Sequence, residues 1–340
     1  MSERDLEAEL RAVGEQSDLE ADLRAVGERS DLEARLRAIG EERYHHRHPF
    51  NLRMHAGELS ADEIRTWVAN RYYYQTRIPV KDGLILAKAP EPGFRREWIG
   101  RIHDHDGTAE REGGLELWLV LADAVGLARE RVAALLDVLP GVRRACDAYV
   151  AFVESHDLLE SVAASLTELF AGDIMAARIA AFEAHYSWVD TEGLRYFRSR
   201  TKQAPADARF GLAFVLEHAK TDEDRDRCAA ALERKCEILW SLLDAVEHAH
   251  ARPALRPEAQ LRLDDAEPMV VLPERAVALR GSAAEIVALC DGRRTALEIA
   301  RELGERHPQA PGLFDEVHDF LDELVGAGVL TRAPDVAPPC

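Results

Sequence analysis

Ionisable and hydrogen-bonding side chains recur between positions 44 and 235 at spacings that put them on helix faces otherwise filled by apolar residues. Tyr44-His45-His46-Arg47-His48-Pro49 sets several titratable groups just ahead of a helix break, and Arg71-Tyr72-Tyr73-Tyr74-Gln75 ends the next helical segment. Arg101 and His105 stand at i, i+4 and share a face, as do Tyr196 and Arg200. Glu168 lies in Ser165-Leu166-Thr167-Glu168-Leu169-Phe170, Arg178 follows ten residues on, close to the same face, and Lys235 sits inside a long helical stretch. Taken singly, an Arg or His on a helix is more commonly solvated or half of an ordinary ion pair. Cations turned into a helical core need partners, because an unpaired buried charge is costly, and a polyanionic ligand supplies them.

His103-Asp104-His105-Asp106 invites a metal reading, yet residues two apart on a helix point to opposed sides, so these histidines do not readily share an ion. Cys146, Cys228, Cys236, Cys290 and Cys340 are scattered apart from one i, i+8 pair, and no C-x-x-C occurs. They read as buried thiols kept reduced in a cytosol.

From Leu32 to Ala251 the apolar residues follow helical periodicity with little alternation, so a helical bundle must position these groups. The pattern predicts helices over 61–74, 95–106, 116–125, 129–136, 141–155, 158–184, 191–201, 205–218 and 222–250. Ahead of them RDLEAELRAVGEQ, SDLEADLRAVGER and SDLEARLRAIGEE form a repeat of period 13, starting at Arg4, Ser17 and Ser30. Each copy puts Leu, Leu and Val or Ile on one face, Ser17/Glu20 and Ser30/Glu33 are spaced as capping boxes, and Gly14, Gly27 and Gly40 stand where helices stop. Thirteen residues at about 100° each do not return to the starting face, which predicts three short helices, the first two fraying unless they dock. A duplicated first helix without chemistry of its own accounts for the repeat.

After Pro253 the pattern changes to strand-like runs at 260–263, 269–272 and 276–279, followed by helices over 282–290, 295–305 and 313–326. The expected organisation is therefore residues 1–29 as N-terminal repeats, 30–252 as the helical domain, 253–333 as a small α+β domain and 334–340 as a tail. A length of 340 residues with 47% hydrophobic content supplies material for such a main core and a smaller one. The formal charge of −19 and the lack of a basic run argue against a nucleic-acid partner. The charged start, and the lack of any run of about 18 apolar residues, argue against secretion or membrane spanning and for the cytoplasm.

The strings RYHHRHPF, WVANRYYYQTRIPVKD, RIHDHDG, LPGVRRACDAY, SLTELFA, YFRSR and KCEILWSLLDA, in this order and spacing, resemble the pyrroloquinoline quinone synthase family, PqqC, over about two thirds of the chain. The resemblance implies a mainly α, heme-oxygenase-like (TenA-like) bundle that works as a homodimer and needs no metal or organic cofactor. It implies ring closure and an eight-electron oxidation of a bicyclic quinonoid tricarboxylate (AHQQ), with dioxygen as co-substrate and release of hydrogen peroxide. An electron-rich quinol can itself give electrons to dioxygen when its anionic intermediates are stabilised by preorganised charge.

The same resemblance assigns Arg71, Arg101, Arg178, Arg200 and Lys235 to the substrate carboxylates and quinone oxygens, which fits the donor geometry of those side chains. It makes His45 and His105 acid/base and oxygen-site groups, with Tyr44, Tyr74, Gln75, Glu168 and Tyr196 completing the lining and Thr167 and Lys81 beside them. His45, His105, Tyr196 and Arg200 are the expected catalytic set, and Arg200→Ala is expected to weaken substrate binding with the fold intact. Where the family pattern leads to a histidine seven residues after Glu168, this chain has Met175, which cannot transfer protons. Either another histidine, such as His46 or His48, takes the step, or the step is slower.

LRPEAQLRLD, VVLPERAVAL and AAEIVALCDGRRTALEIARELGE resemble the PqqD family. That implies a winged-helix-like fold that binds the precursor peptide PqqA for the radical SAM enzyme PqqE, often by adding a strand to a sheet edge. Acidic helices such as Asp315-Glu316-Val317-His318-Asp319 disfavour a nucleic-acid-binding winged helix. The competing readings are a di-metal carboxylate oxidase on the same scaffold, against which Met175 argues, and a peptide-binding scaffold with an inactive bundle. A thiaminase-like hydrolase would need a pocket cysteine, and neither Cys146 nor Cys236 has an evident base nearby in sequence.

Overall fold

Capping chemistry written into the sequence sets where several helices begin. Ser60 and Glu63 form a reciprocal capping box, as do Thr221 with Asp224 and Thr295 with Glu298, while Pro49, Pro92 and Pro140 occupy first-turn positions. The structure, a computed structural model, describes residues 26–263, 267–310 and 312–333. In chain order the bundle comprises α1 (residues 26–43), α2 (Pro49–Ala56), α3 (Ala61–Lys88), α4 (Pro92–Asp106), α5 (Gly114–Ala124) and α6 (Arg129–Ala133). It continues with α7 (Pro140–Ser155), α8 (Leu158–Ala164), α9 (Ala171–His185), α10 (Arg195–His218) and α11 (Asp222–His250). Three 3-10 segments, His45–Arg47, Ser165–Phe170 and Thr191–Leu194, interrupt it.

The long α3 lies at the centre, against α4, α5, α7 and α11, and α10 packs on α9, α8 and α5. Trp67, Trp98 and Trp118 are fully buried between these helices, Trp67 meeting Trp118 edge-on and Phe94 stacking on Trp98. The chain then forms β1 (Arg252–Leu255), β2 (Gln260–Arg262), β3 (Met269–Val271), β4 (Ala276–Ala278), α12 (Ala283–Leu289), α13 (Ala296–Arg306), α14 (Leu313–Gly326) and β5 (Leu330–Ala333). β2, β3 and β4 make an antiparallel meander, and β1 pairs antiparallel with β5. A separate core including Val270, Ile286, Ile299, Leu303, Val317 and Leu321 closes this region. It touches the bundle through Leu297, which joins the bundle core, and through an Arg144–Asp319 ion pair of 2.6 Å.

Several expected boundaries move, each for a physical reason. α3 runs past Tyr74 to Lys88 with Pro79 inside it, and the segments expected at 191–201 and 205–218 give instead one helix, α10, with Pro205 inside it, preceded by the Thr191–Leu194 turn. An interior proline loses one ladder hydrogen bond and crowds the carbonyl four residues back, and packing on both sides of it offsets that local cost. The helix expected over 158–184 is broken by the 3-10 turn Ser165–Phe170, and the one expected over 129–136 ends at Ala133. β1 and β5 had no strand signal of their own; their pairing across the sequence makes them strands.

The repeat is also corrected where it is described, its first copy and most of its second lying outside the described residues. α1 runs straight through the junction of the second and third copies, so Ser30 is inside a helix rather than capping one, and Gly40 is interior too. Gly40 is there because a Cβ would stand 1.8 Å from the Phe170 ring. The rotation of the apolar stripe holds: Ile39 is 7% exposed, whereas its counterpart Val26, one copy earlier on the same helix, is 62% exposed.

Candidate active site

The central helix supplies one wall of a polar chamber, because Arg71, Tyr74, Gln75, Lys81 and Asp82 recur on a single buried face of α3. The turn before α2 brings Tyr44 and His45, α4 brings Arg101 and His105, and the Ser165–Phe170 turn brings Thr167 and Glu168. α9 adds Arg178, α10 adds Tyr196, Arg200 and Asp207, and α11 adds Lys235.

At one end cations and carboxylates are matched. Arg200 Nη2 donates to Glu168 Oε2 at 2.7 Å and to Asp207 Oδ2 at 3.2 Å. Arg101 lies 3.6 Å from Asp82, 3.6 Å from Glu168 and 3.9 Å from Asp207, and Lys81 Nζ lies 2.7 Å from Asp82. Burial alone would raise the Glu168 pKa, yet Arg200, Arg101 and Lys81 outweigh it and hold the carboxyl at about 2.

At the other end the cations have no carboxylate within ion-pair distance among the described residues. Arg71 stacks on the Tyr74 ring at 3.9 Å, and its Nε and Nη1 are buried without a hydrogen-bond partner. Arg178 donates to the Asn51 amide oxygen at 3.2 Å and faces the Met175 sulfur at 3.9 Å; burial, then the Arg71 charge, brings its pKa down to about 9. Lys235 donates to the Tyr74 hydroxyl at 2.9 Å and sits 3.3 Å above the Tyr149 ring, its pKa pushed well down by burial and then by Arg71 and Lys81. Both ring nitrogens of His45 are buried and unpartnered, and burial, then Arg71, Arg178 and Lys235, keep the ring neutral. Tyr196 joins the two ends by donating to the Gln75 side-chain oxygen at 2.9 Å.

All the residues expected at the site except Thr167 thus take part in one contiguous network of hydrogen bonds, ring contacts and charges. Thr167 is buried on the Glu168 turn, and no hydrogen bond of the chamber runs to its side chain among the described residues. Sequence reasoning missed Asp207, Asp82, Tyr149 and Asn51. The signal for Asp207 was its position two turns beyond Arg200 on one helix, hidden by the break expected at Pro205.

The proton-transfer alternatives separate clearly. His48 is outside the chamber: its Nδ1 accepts from the Phe50 N–H at 3.1 Å and its Nε2 faces Asp244 at 3.0 Å. His48, Asp244 and Glu247 lie close enough together for an ion, but with Nδ1 as acceptor the neutral ring carries its proton on Nε2, the atom an ion would need. His103 is exposed while His105 is buried, so the two do not converge. Cys146 is buried, and burial pushes its thiol up to about 12, so it is no ready nucleophile.

His105 carries a measurable consequence. Burial, then the nearby Arg200 charge, lowers its pKa from the ordinary 6.5 to about 4, so between those values the unfolded chain binds more protons than the native one. Its contribution is fully present above about pH 6.5 and is lost as pH falls toward 4, on the order of 3 kcal/mol in all. Denaturant unfolding at pH 7.5 and pH 5 should show the loss, and His105→Gln should flatten that dependence. An unchanged slope in the variant would remove His105 from the account.

The bundle geometry defines a class first. It superposes on a Shewanella denitrificans domain with a heme oxygenase-like fold, at a TM-score of 0.52 and 16% identity over 64% of this chain and 89% of that one. It superposes equally on a TenA homologue from P. horikoshii OT3, at a TM-score of 0.52 and 14% identity over 63% of this chain and 97% of that one. The family model "TENA/THI-4/PQQC family" matches residues 33–245, and "Coenzyme PQQ synthesis protein D (PqqD)" matches residues 268–330. The pyrroloquinoline-quinone synthase of Rhizobium rhizogenes is 49% identical over 63% of this chain and 87% of its own length. The bifunctional coenzyme PQQ synthesis protein C/D of Methylorubrum extorquens is 37% identical over 84% of this chain and 89% of its own. The chain belongs to the TENA/THI-4/PQQC family, as a pyrroloquinoline-quinone synthase of PQQ biosynthesis fused to a PqqD region.

Proposed function

We propose that the chamber is where the bicyclic tricarboxylate precursor undergoes ring closure and eight-electron oxidation by dioxygen, yielding hydrogen peroxide, with no metal or organic cofactor. The observation that carries this reading is the charge balance. Among the described residues the six basic side chains Lys81, Arg71, Arg101, Arg178, Arg200 and Lys235 face three carboxylates, Asp82, Glu168 and Asp207, so three bases in this buried space lack an anionic partner. A substrate with three carboxylates supplies those partners, and its negative charge favours the protonated form of Lys235. The uncompensated end, with Arg71, Arg178 and Lys235, takes the carboxylates and quinone oxygens. His45, His105, Tyr196 and Arg200 serve proton transfer and stabilise negative charge as electrons pass from substrate to dioxygen. Tyr44, Tyr74, Gln75 and Glu168 fix the orientation of these groups.

A single-turnover absorbance assay on metal-stripped protein, with the bicyclic precursor and dioxygen, tests the proposal. Quinone product and hydrogen peroxide are expected without added metal. A requirement for iron or manganese would replace this mechanism with a di-metal oxidase, and no turnover in either condition would leave the inactive peptide-binding scaffold.

To the C-terminal unit we assign binding of the PqqA peptide for PqqE. β2 and β4 are edge strands of their sheet, which is what strand addition requires. A homodimer in the cytoplasm completes the reading. For the compartment, the free thiols Cys146, Cys228, Cys236 and Cys290 are in support.

A further inference from the structure

Beside the chamber residues lies a cavity of about 650 Å3, open to solvent and lined in part by Tyr44, His46, His55, Phe170 and Asp173. Tyr44 is common to both spaces. Its ring lies 4.4 Å from that of His45 in the chamber and 5.8 Å from that of His46 in the cavity. Its hydroxyl makes no hydrogen bond among the described residues, although the residue is only 4% exposed. Nδ1 of His46 and Nε2 of His55 are closed off from water, which leaves Nε2 of His46 and Nδ1 of His55 as the nitrogens that can exchange protons with the cavity. Tyr44, His46 and His55 thus border one roomy, solvent-connected space that can hold water.

The chemistry inside the chamber needs such an outlet. Oxidation removes protons from the substrate, and dioxygen takes up protons only once it has received electrons. The interval requires a place to hold a proton. The chamber interior is a poor one, because Arg71, Arg178 and Lys235 repel it from His45, and Met175 offers no proton site. Resting on the synthase reading above, we propose that His46 is the external proton acceptor of this reaction, reached from the chamber through the Tyr44 hydroxyl. In each transfer a substrate O–H or N–H bond breaks and its electron pair stays on the substrate. The proton passes to the Tyr44 oxygen as the Tyr44 proton leaves, by way of cavity water, for Nε2 of His46. The reverse transfer returns a proton when reduced dioxygen requires one. Burial, then the Arg178 charge, holds His55 at about 4; burial, then Arg47, lowers His46 as well, and His46 is the terminal site because its ring is the one in contact with Tyr44.

The test is steady-state turnover of His46→Ala in the full chain, with and without added imidazole, alongside thermal melting. The expected result is a kcat lowered about ten-fold or more, an unchanged KM, and recovery with imidazole, which the open cavity can admit. An unchanged kcat, or a fall that imidazole does not restore in a normally melting protein, overturns the proposal. Should His46→Ala melt early, His46→Gln carries the kcat and KM comparison with the same two readings. Failure of the underlying synthase reading is distinguishable, because the wild-type protein would then form no product.

Discussion

Replacing Arg71 by methionine is expected to move stability and function in opposite directions. Arg71 stacks on Tyr74 with two guanidinium nitrogens unpartnered, and its positive charge bears on Arg178, His45 and Lys235 together. Without substrate it is a desolvated charge surrounded by like charges, a cost the folded protein carries. Methionine fills similar space without that charge, so the substrate-free protein should gain on the order of 1 kcal/mol and melt a few degrees higher. Binding should suffer, because removing one partner of a buried charge pair costs about 2–5 kcal/mol, roughly thirty-fold to a few thousand-fold in affinity. Thermal melts of the ligand-free protein, with titration of the quinone product, measure both. A lower melting temperature with unchanged affinity would make Arg71 a structural residue.

The second large effect is at Arg200, where the structure changes what sequence spacing suggested. The spacing reads as a binding residue whose loss leaves the fold intact. In the fold Arg200 is only 4% exposed and joins two carboxylates, Glu168 and Asp207. Arg200→Ala leaves those carboxylates facing each other, with Arg101 as the nearest remaining cation at 3.6 and 3.9 Å. Breaking a buried ion pair from one side costs about 3–5 kcal/mol, so this variant should lose stability as well as substrate affinity. Adding Glu168→Gln removes one of the stranded charges, and the double variant should regain part of the stability but none of the affinity. Additive losses in the double-mutant cycle would show that the pair is not coupled.

The contrast between these two arginines shows where sequence reading reached its limit. Both appear as cations on helix faces expected to point inward, and nothing in their spacing distinguishes them. What separates them is whether another helix brings a carboxylate. Asp207 reaches Arg200 because α10 passes unbroken through Pro205, and Asp82 serves Arg101 because α3 passes unbroken through Pro79. A proline is a strong local signal for a helix end, and here packing on either side overrides it. Gly40 follows the same pattern. Locally it reads as a stop, but in the fold it is the one side-chain-free position that admits the Phe170 ring.

The sequence by itself determined the helical class, the change of pattern after Pro253, and the residue types of the chamber. Those depend on periodicity, capping chemistry and short motifs, all of which act over a few residues. Only the tertiary structure decided which cations are neutralised and which wait for a ligand, that His48 turns away toward Asp244, and that Tyr44 stands between the buried polar cluster and a solvent-open cavity. Electrostatic pairing and desolvation depend on distances between segments far apart in the chain, and those distances exist only once the helices have packed.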